Sequence, residues 1–360
     1  MRSHRAFPDY HIIGRERRYI GAPSRMTASD FVTSGSNVYL TPMIDIDKDW
    51  LSSKYSLGFD AIELVVDGVN RTYRARAGKK HFYLRLYRAS GRPLSQIIAE
   101  VTLLTQFPDC ADVGVSRPVA TADRSTHILE LACGGGFRHA CLFESVDGDP
   151  IELTPAGMAQ FGASIAQLHL AMPTAICGDM RSLEPIAIVQ DTLLALSPML
   201  ESREVSGVIE HDYLACMRRS ESHSLPAGLC HGDAWTGNTR VHQGKVHFFD
   251  FDDFGDGPLV LDLGTAAWHL TRAESPHFGD MVASLISGYE RVRPLSKIEL
   301  EVLPLFIGLA ETRSLLFLAR YCALTDDLWA ETFQTAMDVF ALSQHPPENY
   351  RDVEFGSHNG

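Results

Sequence analysis

The run LCHGDAWTGNTRVHQGKVHFFDFDDFGDGP, residues 229–258, places Asp233, Asn238, Asp250, Asp252, Asp253 and Asp256 within one short span. Like charges at close range, beside apolar segments such as VHFF and PLVLDLG, cannot all stay ionised unless a cation or strong donors offset them. TRVH and KVHFF read as two short strands around a turn containing Gly244. Folding back brings Asn238 and Asp250 to the open end of that hairpin, with Asp233 one loop earlier. A two-residue loop pairs position 238 with 249, and a bulged loop pairs it with 250; only the second puts both side chains on one face. An Asn carbonyl and an Asp carboxylate make a hard, oxygen-only site that suits Mg²⁺ held mostly by waters and phosphates. Asp233 stands where an attacking hydroxyl could donate its proton. Phosphoryl transfer from ATP uses those parts together with a strand-rich lobe that clamps the nucleotide, and protein kinases carry an Asp and an Asn at the spacing seen in HGDAWTGN. Asp252, Asp253 and Asp256 read as turn or loop carboxylates, with Asp252 in reach of a second metal.

The elements that must position these residues fall into two groups. AIELVV (61–66), RTYRAR (71–76) and HFYLRLYR (81–88) alternate as strands do, with turns at DGVN and AGKK. RPLSQIIAEVTLLTQF reads as a helix with Leu94, Ile97, Ile98, Val101 and Leu104 on its apolar stripe and Glu100 off its centre. VSRPVAT, THILELA and HACLFESV read as further strands, with a flexible GGG turn at 134–136 near the junction of the two groups. Beyond the connector ESVDGDP the period becomes helical. Thr154 reads as an N-cap with Pro155 at the first helical position, and Met158, Phe161, Ile165 and Leu168 line one face up to His169, which reads as a structural histidine. Ser296 and Glu299 suit a capping box ahead of a long helix. His242 and His247 lie on the hairpin with no third ligand in view, which discounts zinc.

At 360 residues, two domains or lobes are expected, and 45% apolar with 21% charged residues is ordinary globular composition. A formal charge of −13 without clustered Lys and Arg argues against a nucleic-acid partner. Seven scattered cysteines, never spaced CxxC, suit reduced thiols and a cytoplasmic location. The basic first 25 residues lack the apolar core of a secretory signal, Met26 is an alternative start, and no run reaches transmembrane length, so no membrane partner is expected. The polar tail EFGSHNG is expected to fray.

HGDAWTGN followed by FFDFDDFGDGPLVLDLG resembles the aminoglycoside phosphotransferase and choline kinase superfamily, over roughly residues 55–340, and the DDFGDGP variety is similar to its stress response kinase A and homoserine kinase II branches. The resemblance implies an α+β, bilobal, protein-kinase-like fold with a small antiparallel-sheet N-lobe and a larger, mainly helical C-lobe. The division expected is an extension over 1–50, the N-lobe over 51–146, the C-lobe over 147–345 and a flexible tail over 346–360. By position it makes Asp233 the catalytic base, braced by His231 and held from behind by Asp262, and Asn238 and Asp250 the Mg²⁺ ligands. Gly68 and Asn70 fall in the nucleotide-covering turn. Arg85 stands on the strand that usually carries a phosphate-binding Lys, facing Glu100 on the helix, and its planar fork grips oxygens differently. Phe143 to Val146, including Glu144, form the hinge that reads adenine. The implied activity is transfer of the γ-phosphate of ATP to a hydroxyl of a small molecule, such as an amino alcohol, homoserine, a sugar or an aminoglycoside, by a monomer or homodimer. A protein Ser/Thr kinase and a metal-dependent hydrolase using the same aspartates are the alternatives.

Overall fold

The computed structural model describes residues 46–344 apart from 89–91, 110–111, 134–135, most of 199–224, and 272–277. Residues 1–45 of the expected extension, the alternative start and the tail lie outside the described residues, as do two of the three glycines of the GGG turn.

The small lobe opens with α1 (Lys48–Lys54), capped by the Asp47 side chain on the Trp50 N–H. It continues through β1 (Ala61–Asp67), β2 (Arg71–Ala77), β3 (Lys80–Leu86), α2 (Leu94–Gln106), β4 (Val113–Val115), β5 (Ile128–Cys133) and β6 (Gly136–Glu144). Five of the strands form one antiparallel sheet in the order β1-β2-β3-β6-β5. Its two faces are both covered, which the alternation of β3 requires: Phe82, Leu84 and Leu86 point into a small core with α1 that also holds Ile46, Leu51 and Tyr55. Tyr87 and Phe143 join the larger core on the other face, together with Ile97, Ala99 and Leu103 of α2. The face of β3 that carries Arg85 looks onto α2, where Arg85 meets Glu100, and onto the cleft.

Two expectations for this lobe are corrected. VSRPVAT is not a strand of the small sheet. Pro118 has no N–H to give a ladder and makes one isolated bridge to Phe143, and the strand formed is β4, just upstream. On α2 the buried positions are Ile97, Ala99, Glu100, Val101, Leu103 and Leu104, whereas Leu94 and Ile98 are exposed. The helix is turned so that Glu100 faces inward, because buried cations await it there.

The large lobe holds α3 (Pro155–Ala171), β7 (Arg181–Ser182), α4 (Pro185–Leu196), β8 (Ala227–Cys230), the hairpin β9 (Thr239–His242) and β10 (Lys245–Phe248), β11 (Gly255–Pro258), α5 (Val260–Thr271), α6 (Phe278–Glu290), α7 (Lys297–Tyr321) and α8 (Asp326–Gln344). Thr154 caps α3, and Ser296 with Glu299 forms the capping box of α7. β4 runs parallel to β10, so the first chain segment after α2 is built into the hairpin of the large lobe. By length and apolar composition α7 could cross a membrane, contrary to the sequence reading, and 67% of its apolar window is buried against neighbouring helices. Its apolarity is that of a core helix packed on α4, α5 and α8.

Candidate active site

The loop after β8 is set by one buried carboxylate. Asp262, at the start of α5, accepts the N–H of His231 (2.7 Å) and of Gly232 (2.9 Å) and meets His169 Nε2 at 2.9 Å. Tyr289 OH closes the far side of His169 at Nδ1, 2.8 Å away, so His169 is the structural histidine expected. Burial pushes the Asp262 carboxyl up, but the His169 hydrogen bond, the charges of His169 and His231 and the Gly232 N–H outweigh it and hold the carboxyl below its ordinary value. Gly232 has a φ of +82°, and a Cβ there would lie 1.9 Å from the Asp253 carbonyl oxygen, so only glycine fits.

His231 is fully buried against Phe251 at 4.4 Å between ring centroids. Its Nδ1 accepts the Asp233 N–H (3.3 Å), which leaves Nε2–H to donate to the Phe249 carbonyl (3.1 Å) and fixes the tautomer. His231 therefore ties together the two ends of the stretch from Asp233 to Phe249. Asn238 Nδ2 donates to the carboxylate of Asp233 (2.9 Å) and to its backbone oxygen (3.0 Å), orienting the expected base.

The hairpin takes the two-residue register: His242 pairs with Lys245 and Thr239 with Phe248, and the Phe249 N–H donates to the Asn238 carbonyl (3.0 Å). Alternation alone would then point residues 238 and 250 apart. Asp250 instead takes φ +65° and ψ +56°, left-handed values that Asp tolerates, and turns the chain out of the ladder.

Across the cleft, Arg85 bridges Glu100 Oε1 and Asp250 Oδ1, both at 2.8 Å. A second arginine, Arg92, pairs with the other Glu100 oxygen (2.7 Å) and with Asp252. Tyr87 OH also donates to Glu100 Oε2 (3.0 Å), and burial and the Glu100 charge keep that phenol protonated. Asp253 pairs with Arg181, and Asp256 is exposed on β11. The crowded carboxylates are thus offset by arginines brought from β3, from the entry to α2 and from β7. Sequence reading missed Arg92 and Arg181. The signal available was arithmetical: so many acidic residues beside apolar strands demand nearby cations.

The remaining expected residues are placed as follows. Asn70 donates its Nδ2–H to Asp252 (3.0 Å), and its Oδ1 accepts the Arg88 N–H (3.0 Å). The Glu144 N–H donates to the Arg117 carbonyl (2.9 Å), and its carbonyl accepts from Ser116 Oγ (2.7 Å). Gly136, the described glycine of that turn, opens β6 at the end away from the hinge. His242 and His247 line a cavity of about 300 Å³ behind the hinge with Lys245. Among the described residues the one metal-type cluster is His169, Cys230 and Asp262, and its carboxylate is the one already bound to two backbone N–H groups.

On the other side of Asp233, Trp235 stacks on His269 at 4.5 Å and 16° between ring planes, with His269 Nε2 3.9 Å from Asp233 Oδ1. Arg313 of α7 donates to the Gly232 carbonyl, and the Arg88 guanidinium lies 5.3 Å from the Tyr321 ring. None of these was singled out from sequence.

Residues 62–295 match the phosphotransferase enzyme family. A homoserine kinase of Methylobacterium radiotolerans is 27% identical over 218 residues, 56% of this chain and 63% of that protein. The structure of a microcompartment-associated aminopropanol kinase superposes with a TM-score of 0.61 at 21% identity, over 82% of this chain and 95% of the other. That of the amicoumacin kinase hAmiN, in complex with AMP-PNP, Ca²⁺ and Ami, gives 0.63 at 18% identity, over 81% and 92%. At those identities the likeness is one of fold, and the fold is the mixed α+β, kinase-like one expected.

Proposed function

The chain belongs to the phosphotransferase enzyme family, and from that premise we propose that it moves the γ-phosphate of ATP, with Mg²⁺, to a hydroxyl group of a small molecule. One observation carries the reading: Arg85 of the small lobe and Asp250 of the large lobe meet at 2.8 Å, on the chain that runs back through the hairpin to Asn238 and Asp233. A cation for phosphates, a carboxylate for a metal and a carboxylate for a proton share one cleft.

Asp250 and the Oδ1 of Asn238 would hold the metal. The Asn amide suits that use, because its Nδ2 is fixed on Asp233 and its oxygen is directed away from that bond. Oxygen-only donors fit Mg²⁺, which supplies neutralisation of the phosphate charge when bound. Arg85 would grip phosphate oxygens and Val146 the base. Asp233 accepts a hydrogen bond from the acceptor hydroxyl and takes its proton as the oxygen–phosphorus bond forms and ADP leaves, which an ordinary carboxylate can do in a loose transition state. Cys141, Cys177, Cys230 and Cys322 are thiols, in keeping with a cytoplasmic enzyme that draws on cellular ATP. The test is ADP release measured against a panel of hydroxyl compounds with and without Mg²⁺. Acceptor- and metal-dependent ADP release is expected; turnover that proceeds without nucleotide would establish hydrolysis by the same aspartates instead.

A further inference from the structure

We infer that Arg313 reads a carboxylate on the acceptor, so that the substrate is a short hydroxy acid or hydroxy amino acid; this rests on the phosphotransfer reading above. Arg313 donates one Nη1 hydrogen bond to the carbonyl of Gly232, the residue immediately before Asp233. Four and eight residues further along α7, on the same helical face, stand Phe317 and Tyr321, with ring centroids 5.0 Å apart. All three are half-buried. Tyr321 lies under the Arg88 guanidinium, and the Arg88 N–H is bound by Asn70 in the turn after β1. Eight residues of helix rise about 12 Å. One face of α7 therefore runs from the loop of the catalytic carboxylate to the turn over the phosphates. A hydroxyl that is to meet both must lie along it.

The charge at the lower end of that face is unlike that of the other arginines around the cleft. Arg85, Arg92 and Arg181 each hold a carboxylate. Arg313 forms no ion pair among the described residues, and its one partner is an uncharged carbonyl. A guanidinium has five donors in a planar fork. A half-buried one with a single carbonyl partner, beside a reaction site, is suited to a two-oxygen anion and repels a cation. Phe317 and Tyr321 offer an apolar strip for a short carbon chain between the carboxylate and the Arg88 end. The competing role for Arg313 is to brace the loop through Gly232.

Matched acceptors separate the two roles: homoserine, its deaminated counterpart 4-hydroxybutyrate, and its decarboxylated counterpart 3-aminopropanol, each offered to the full chain with ATP and Mg²⁺. Both carboxylates are expected to exceed 3-aminopropanol in kcat/KM by at least about thirtyfold, the worth of a charge-assisted bidentate contact. Arg313→Met should erase that preference by raising the carboxylate acceptors' KM, with kcat at saturation changed less than about threefold, and Arg313→Lys should restore part of it. A preference for 3-aminopropanol, or an equal fall in kcat for all three acceptors in Arg313→Met, would overturn the assignment in favour of a brace. Should none be phosphorylated, calorimetric titration into the nucleotide-loaded protein decides: 4-hydroxybutyrate must bind more tightly than 3-aminopropanol and lose that advantage in Arg313→Met, and equal binding overturns the inference. ADP release that is indifferent to Asp233→Asn is the separate failure of the phosphotransfer reading, and it leaves the binding comparison intact.

Discussion

Around His231 and Asp233 the bonds that set the loop stay inside the large lobe, and their anchor is buried: Asp262, two backbone N–H groups, His169 and Tyr289. Around Arg85 the bonds are ion pairs that pass from β3 to α2 and to the turn after β10. The first arrangement is complete without any ligand, since every donor and acceptor in it has a protein partner whose removal would leave a buried group unsatisfied. The second consists of groups that a nucleotide and a metal would themselves engage. Asp250 meets Arg85 through Oδ1, so a metal held by Asp250 would compete with Arg85 for the charge of that carboxylate, and a phosphate would compete with Asp250 for the N–H groups of Arg85. On the proposed function, the loop would be a fixed surface on which the acceptor is aligned, and the cleft would hold its charges in pairs that binding exchanges. Substitutions in the loop should therefore act on turnover or on folding whatever ligand is present, and substitutions in the cleft should act in proportion to the charge of the ligand.

The largest effect expected is at Asp233. Asp233→Asn keeps the size of the side chain but removes the proton acceptor, and turnover should fall by at least about a hundredfold with nucleotide affinity within a few-fold. Steady-state rates beside a nucleotide titration of the same preparation check it, and near-normal turnover in the folded variant would remove Asp233 as base. Asp262→Asn comes next, as a change in folding. Losing a buried charge that accepts two backbone N–H groups should lower stability by about 2–3 kcal/mol, read from denaturant midpoints. Because the folded value of Asp262 is depressed, its contribution is complete above about pH 4 and is lost as pH falls further, through the folded value. The variant should lack that part of the acid transition; an unchanged acid profile would mean that the loop is anchored elsewhere.

On the cleft side, Arg85→Met should weaken ATP about tenfold or more while leaving adenosine, which carries no phosphates, within about twofold; Arg85→Lys should recover part of the difference. Calorimetry with both ligands measures it. Equal weakening of the two would indicate a distorted small lobe and would show that the cleft pairs do not exchange with phosphates.

How much of this was legible in the sequence follows the same division. The stretch proposed as catalytic could be read because its parts are contiguous: Asp233, Asn238 and Asp250 sit in one run, and the short turn at Gln243–Gly244 folds them together. The register choice between residues 249 and 250 was open, because it depends on a left-handed turn at Asp250 that no periodicity announces. Arg85 with Glu100 was legible from strand-to-helix order. Arg92 and Arg181 were not, since the carboxylates they hold in the acidic turn, Asp252 and Asp253, are 160 and 72 residues away along the chain and only tertiary packing brings them together. Glu100 shows the limit of apolar patterning, for a helix can turn a charged residue inward when two cations and a phenol meet it there. β4 was displaced for a related reason: its partner is β10, far along the chain, and not the sheet next to it in sequence.

The smallest effect expected is at Asn70, and it bears most directly on whether the cleft is held by exchangeable bonds. From its place in the turn, Asn70 was expected to approach phosphates; its Nδ2 reaches across to Asp252, which Arg92 also holds. If the bond to Asp252 is what Asn70 contributes, Asn70→Ala should change ATP and adenosine affinity alike, each by less than about fivefold, because a hydrogen bond to a carboxylate that keeps its arginine contributes only about 1 kcal/mol net. Asp252→Asn should do the same, and the two changes together should be non-additive, with a coupling of about 0.5–1.5 kcal/mol in stability. Direct phosphate contact predicts otherwise: Asn70→Ala would weaken ATP alone, and its effect would add to that of Asp252→Asn. A double-mutant cycle read by denaturation and by titration of both ligands separates these outcomes. Additivity would place Asn70 among the ligand-binding groups and leave Arg92 with Asp252 as the contact that joins the entry to α2 to the metal turn.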